Sequence, residues 1–88
     1  MYYVYVLLST KSNRLYTGST KDLRQRIKEH NSEDGGEYSK RNHPYKLIYY
    51  EAFLLKTDGL KQEKFYKTGY GREVLKDKIN NSLRILGR

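Results

Sequence analysis

The amino-acid sequence predicts a small α+β domain: a three-stranded mixed or antiparallel sheet flanked by helices, in the order β-β-α-β-α-α. Three observations predict it. Two short β-branched and aromatic runs stand close together at the start of the chain, residues 2–8 (YYVYVLL) and 14–19 (RLYTGS). A third run, LIYYEAFL at 47–54, is nearly continuous in apolar residues. The remaining segments place apolar residues three and four apart, which is the helical period.

The first run is followed by Ser9-Thr10-Lys11-Ser12-Asn13, a polar stretch suited to a tight loop, so residues 14–19 return as the second strand of a hairpin. Gly18 near its end implies a close backbone approach or a bend. Ser19 with Asp22 three residues later forms a capping-box-like pair ahead of Leu23, and the helix it opens runs to about Asn31. Residues 35–46 read as a polar, basic loop with the single proline, Pro44. The 47–54 run, apolar nearly throughout, is expected at the centre of the sheet. Thr57-Asp58 offers an N-cap for a helix from Gly59 or Leu60 to about Thr68, with Gly69 as its C′ residue. Leu75, Ile79 and Leu83 at fourfold spacing, with Val74 alongside, predict a terminal helix over about 72–83. Residues 1–88 read as one domain, without internal repeat or linker.

Composition narrows the function. The 88 residues carry 18 Lys+Arg against 10 Asp+Glu, a formal charge of +8, which favours an anionic partner, nucleic acid ahead of membrane. The charge is uneven: residues 21–34 sum to zero, while 35–50 carry +2 and 71–88 carry +3. Lys40 and Arg41, with the terminal helix, are therefore the expected non-specific grip on a sugar-phosphate backbone. There is no cysteine, which removes a disulfide framework, a thiolate zinc site and a cysteine nucleophile. No apolar run is long enough to span a membrane and no signal-peptide pattern opens the chain, so the expected compartment is the cytoplasm. Ten tyrosines stand beside only two phenylalanines and no tryptophan.

Helical periodicity exposes an anomaly. From Leu23 the inward stripe takes Arg26, Ile27 and His30, so a cation and an imidazole share the face meant for the core. The plain alternative is that Arg26 snorkels past the rim and His30 caps the helix end. From Leu60 the same spacing brings in Glu63 and Tyr66, and the plain alternative for Glu63 is an exposed pair with Lys67. Arg26, His30 and Glu63 are nonetheless the groups a phosphodiester site needs: a cation for phosphate charge, a proton carrier and a hard oxygen ligand for a divalent metal. Tyr5 and Tyr16 lie at similar distances from the hairpin loop and are direct or diagonal cross-strand neighbours.

Residues 4–6 (VYV) and 16–18 (YTG), nine residues apart and followed by LRQRIKEH, strongly resemble the paired motifs of the GIY-YIG nuclease superfamily. Together with Arg26, His30, Glu63 and the LIYYEAF strand between them, the likeness extends over nearly the whole chain. It is greatest to small stand-alone members related to the nuclease domain of the bacterial excision-repair incision subunit. Val4, Val6 and Thr17 depart from the motif letters but are β-compatible. The resemblance implies a DNA endonuclease. Tyr16 would be the general base or would orient the attacking water, and Tyr5 would hold that water or the phosphate. Gly18 would let the backbone pack under the helix start. Arg26 would stabilise the phosphoryl transition state, with His30 supporting it. Glu63 would bind one Mg²⁺ or Mn²⁺. A phenol titrates near about 10, so a tyrosine base near neutral pH needs its pKa lowered by about 3, worth ~4 kcal/mol, which only cationic surroundings supply. With no further domain to read bases, branched, nicked or flapped DNA is a better expected substrate than a base sequence in duplex. The competing readings are a non-catalytic nucleic-acid binder on the same scaffold and a protein-interaction module of a repair assembly.

Overall fold

The computed structural model describes residues 1–32 and 44–87. Within them β1 (Tyr2–Ser9) is followed by β2 (Leu15–Thr20), α1 (Leu23–Asn31), β3 (Tyr45–Phe53), α2 (Lys56–Tyr66), α3 (Gly69–Lys78) and α4 (Asn80–Ile85). The strands lie in the order β2-β1-β3 and both pairings are antiparallel. The expected α+β class therefore holds, with no parallel pair among these strands and with one more helix than expected.

The centre of the sheet is β1, not the 47–54 run. Residues 4–9 of β1 are buried without interruption, whereas β3 alternates between half-buried and exposed positions. A nearly continuous apolar run suits a strand covered on both faces. In β3 that run includes two tyrosines, Tyr49, whose hydroxyl donates to Glu51, and the half-exposed Tyr50, so the strand is satisfied at an edge. Odd-numbered Tyr5 and Leu7 pack with Tyr45, Leu23 and Ile27 on the α1 face. Even-numbered Val4 and Val6 pack with Tyr66, Leu75 and Ile79 on the face of α2 and α3. The period-two alternation of a strand thus divides one segment between two small cores.

The hairpin turns through Asn13 in the left-handed region, φ 60°, where asparagine is tolerated, and closes with Ser9 N–H to Arg14 O at 2.9 Å. The helix starts differ from their expected places. Asp22 alone caps α1, its Oδ1 accepting from Gln25 N–H at 3.0 Å. Ser19 stays in β2 and turns its hydroxyl elsewhere. Thr57 and Asp58 lie inside α2, which begins after Leu55, and Asp58 faces the positive end of the helix dipole. Gly69 opens α3 and does not terminate α2: Thr68 Oγ1 accepts from Gly71 N–H at 2.9 Å and caps the next helix. The expected 72–83 helix is two, broken at Ile79, which sits 3% exposed in the core between them. Among the described residues no helix is long and apolar enough to cross a membrane. Lys40 and Arg41 lie outside the described residues.

A carboxylate fastens the helices to the β3 edge. Glu51 receives Tyr49 Oη at 2.6 Å, Gln62 Nε2 at 3.0 Å and the Tyr66 hydroxyl, with Lys78 Nζ at 3.5 Å. Burial and the charge of Glu51 push Tyr66 up to about 12, so it remains a donor at any ordinary pH. Burial also works to raise the Glu51 pKa, but those hydrogen bonds outweigh it and hold the carboxyl below its usual range.

Leu7, with no exposed surface, and Leu54, 82% exposed, give a direct test of this core. Leu7→Ala should lower stability by roughly 2–5 kcal/mol, while Leu54→Ala should change it by less than about 0.5 kcal/mol. Urea denaturation of the two variants measures both.

Candidate active site

The hairpin register brings the two motif tyrosines together diagonally. Tyr5 is opposite Gly18 and Tyr16 is opposite Leu7, so both rings stand on the α1 face. The rings stack with centroids 6.4 Å apart and planes 29° apart. Gly18 is what permits this. A β-carbon there would lie 2.7 Å from Tyr5 Cζ and 3.2 Å from Tyr16 Cε1. Gly18 is the floor on which the Tyr5 ring lies.

From α1, His30 enters the same cluster. It is 8% exposed, its ring 4.7 Å from that of Tyr16 and 6.0 Å from that of Tyr5. Tyr5 Oη stands 3.1 Å from His30 Nε2. Burial pushes the Tyr5 phenol well above the usual tyrosine range, Tyr16 adds to the effect, and Arg26 only partly offsets it. A phenol that keeps its proton can pair with either tautomer of a neutral imidazole, donating to a bare Nε2 or accepting from a protonated one. The neutrality has its own cause: burial, reinforced by the Arg26 charge, lowers the His30 pKa. Cationic surroundings were expected to make a tyrosine acidic; for Tyr5 burial outweighs them.

Arg26 does not join the core stripe. Its side chain is 44% exposed and pairs with Glu29 at 3.6 Å on the rim, while Leu23, Ile27 and His30 turn inward. There it borders an open groove of about 670 Å³ shared with Ser19, Asp22, Gln25 and Lys56. Its field is felt at Tyr5, His30 and Glu63 alike.

Glu63 arrives from the opposite face of the sheet. On α2, it accepts from the Ser19 hydroxyl of β2 and from Lys67 Nζ at 2.8 Å. Burial works to raise its pKa, but the bonds from Lys67 and Ser19 prevail and keep it low, so the carboxylate is anionic. The expected pair with Lys67 is present, and the same carboxylate also reaches the hairpin through Ser19. The five residues do not share one face of the sheet. Tyr5, Tyr16 and His30 lie on one side, Glu63 on the other, and they meet around the edge strand β2.

Three residues of this arrangement went unmarked in the sequence. Ser19, itself 3.2 Å from Tyr2 Oη, carries Glu63 to the hairpin. Tyr45 packs its ring 5.5 Å from His30 and 6.3 Å from Tyr16. Asn31 fixes Tyr45 there, donating to its carbonyl at 3.1 Å and accepting its N–H at 2.5 Å. Only strand alternation hinted at Tyr45, and nothing local distinguishes Ser19 from a helix cap.

A profile described as the GIY-YIG catalytic domain matches residues 1–80. The chain is 38% identical over 84 residues, 93% of its length and 85% of the relative, to a UPF0213 protein in the ldhD 5′ region of Pediococcus acidilactici. To a UPF0213 protein of Staphylococcus saprophyticus it is 39% identical over 75 residues, 85% of this chain and 90% of the relative. The solution NMR structure of a UPF0213 protein from Bacillus halodurans superposes with a TM-score of 0.51 at 35% identity, covering 85% of this chain and 82% of that one.

The buried imidazole sets a pH dependence. Below about 6.5 the unfolded chain takes up a proton that folded His30 resists. Its contribution to stability is therefore whole above that pH and is lost as pH falls through the folded pKa. A proton NMR titration should place the His30 midpoint below 6.5, and His30→Gln should flatten the acid-side decline in thermal stability.

Proposed function

The chain belongs to the GIY-YIG catalytic-domain family, and from that premise we propose that it is a divalent-metal-dependent DNA endonuclease, selective for DNA structure and serving repair or recombination in the cytoplasm. The observation that carries this reading is the meeting of Tyr5, Tyr16 and His30 with Glu63 around one edge strand, under the charge of Arg26. A cluster of aromatic hydroxyls alone is packing. An anionic carboxylate and a guanidinium brought to it from two other elements make a phosphoryl-transfer site.

The chemistry is hydrolysis of a P–O3′ bond: a water oxygen bonds to phosphorus, the 3′ oxygen leaves and takes up a proton, and the water loses one. Tyr5 holds its proton too firmly to be the base, so it orients, hydrogen-bonded to His30. Tyr16, against the neutral His30 ring, is left as the group that accepts the water's proton or aligns its lone pair. His30, whose Nε2 is engaged by Tyr5, holds the two tyrosine rings in place beside it. Arg26, half in solvent on the rim, is placed to meet a phosphate arriving from outside and to hold the charge that grows on its oxygens.

The donor chemistry at Glu63 fits a hard cation, Mg²⁺ or Mn²⁺. Its carboxylate is kept ionised and has the Ser19 hydroxyl beside it. Among the described residues no three His, Cys, Asp or Glu side chains converge. Single-carboxylate sites of this kind complete their shell with water and substrate phosphate oxygens. When bound, such a cation supplies Lewis-acid stabilisation of the phosphoryl charge.

A cleavage panel of branched, nicked and duplex DNA with Mg²⁺ or Mn²⁺ tests the reading. Wild type should cut a branched or nicked substrate. Tyr16→Phe should reduce cutting at least ~100-fold with folding and DNA binding retained, since one hydroxyl is lost. Glu63→Ala should do the same, and Arg26→Lys should be severe because a point charge does not replace a planar fork. Binding without cutting by wild type on every substrate would replace the enzyme with a non-catalytic nucleic-acid binder.

A further inference from the structure

A second groove, about 450 Å³, runs beside β2 on the side away from Arg26. Four cations rim it: Arg14 from the hairpin, Lys67 after α2, and Arg72 with Lys76 one turn apart on α3. No acidic side chain belongs to its lining. Among the described residues only Lys67 of the four has an ion-pair partner, Glu63. Like charges gathered from three parts of the chain repel one another unless an anion lies between them. The groove beside Arg26 is unlike this, since Asp22 and Glu29 there offset Lys21, Arg26 and Lys56.

The floor is apolar and aromatic, with Leu15, Tyr66 and Leu75 beneath the cations. Tyr16 also lines it, and Lys67 binds Glu63 at 2.8 Å, so the groove opens directly on the proposed site. A polyanion with apolar faces fits both features. Duplex DNA keeps its base faces stacked out of reach of a protein surface, whereas an unpaired strand exposes them to an apolar floor.

We propose that this groove holds an unpaired DNA strand adjoining the scissile phosphate, with its phosphates on Arg14, Lys67, Arg72 and Lys76 and its sugars and bases over the apolar floor. The occupant rests on the endonuclease reading, and it makes a flap or splayed arm the substrate class. The strand enters past the hairpin turn, along β2, and reaches Tyr16 and Glu63 from the side opposite Arg26.

Fluorescence anisotropy with a labelled oligothymidylate of about twelve nucleotides, and with a duplex of the same length, tests this without metal, so that binding is read apart from cutting. The exposed pair Arg72→Gln/Lys76→Gln should weaken single-strand binding roughly tenfold at ~0.15 M salt and reduce the log–log salt slope by about 1.4. The charge-matched pair Lys28→Gln/Lys46→Gln, on α1 and β3 outside the groove, should stay within about twofold of wild type. Thermal melts check that both fold. Equal losses in the two pairs, wild-type affinity in the groove pair, no single-strand binding by wild type, or tighter binding of the duplex than of the single strand would each overturn the proposal. Groove-dependent binding with no cutting in the cleavage panel keeps the groove and removes the endonuclease. Cutting with no groove dependence does the reverse.

Discussion

Everything in this small molecule depends on β1 being covered on both faces. A strand buried on one face can leave its other side to solvent, but Val4 through Ser9 have neither side free. Burying six consecutive residues needs a helix layer above and below, and 88 residues can supply each layer only thinly. That is why α1 packs on Tyr5 and Leu7 while α2 and α3 pack on Val4 and Val6. It is also why β2 and β3 are both edges. An edge strand between two helix layers is where groups from opposite sides of a sheet can reach each other, and the candidate site lies along β2.

The site uses that edge economically. Tyr5 is placed by the strand and seated on Gly18, His30 is placed by helical spacing, and the two rings pack edge to face. Their protonation follows from burial: the phenol keeps its proton and the imidazole stays neutral. Glu63 and Arg26 lie outside this dry cluster, and the bonds from Lys67 and Ser19 hold the Glu63 carboxyl ionised. The arrangement separates a buried hydrogen-bonding half from a solvated ionic half, with Tyr16 between them. The proposed phosphoryl transfer uses that separation, since proton transfer profits from a desolvated partner while a phosphodiester monoanion, and the charge that grows on it, must be met by exposed charge.

Much of the fold was legible because its signals are local. The three strands, their order along the chain and the helical stripe of Leu23, Ile27 and His30 follow from spacing alone. The candidate residues were legible because polar groups interrupted apolar periods, at His30 and Glu63 above all. Misplaced elements share one cause. Ser19, Thr57 and Gly69 carry good capping chemistry, and each is put to another use: Ser19 is claimed by Glu63, 44 residues away, Thr57 is taken into α2 by the earlier start of that helix, and Gly69 is claimed by the Thr68 cap of α3.

Sequence by itself determined the α+β class and the hairpin, since alternation and helical period are properties of the covalent chain, while the candidate roles of Tyr5 and Tyr16 came from the motif resemblance. Tertiary structure decided which strand is central, that the two tyrosines stack diagonally, that Arg26 belongs to the rim, and that Ser19 and Tyr45 join the cluster. The physical reason is that these are outcomes of competition for burial. Runs 2–8 and 47–54 are both apolar enough for the middle of a sheet, and only the hairpin to β2 together with the two helix layers settles the place on β1. Charge follows the same rule. A net +8 is fixed by composition, but the meeting of Arg14, Lys67, Arg72 and Lys76 around one groove exists only once β2, α2 and α3 are packed.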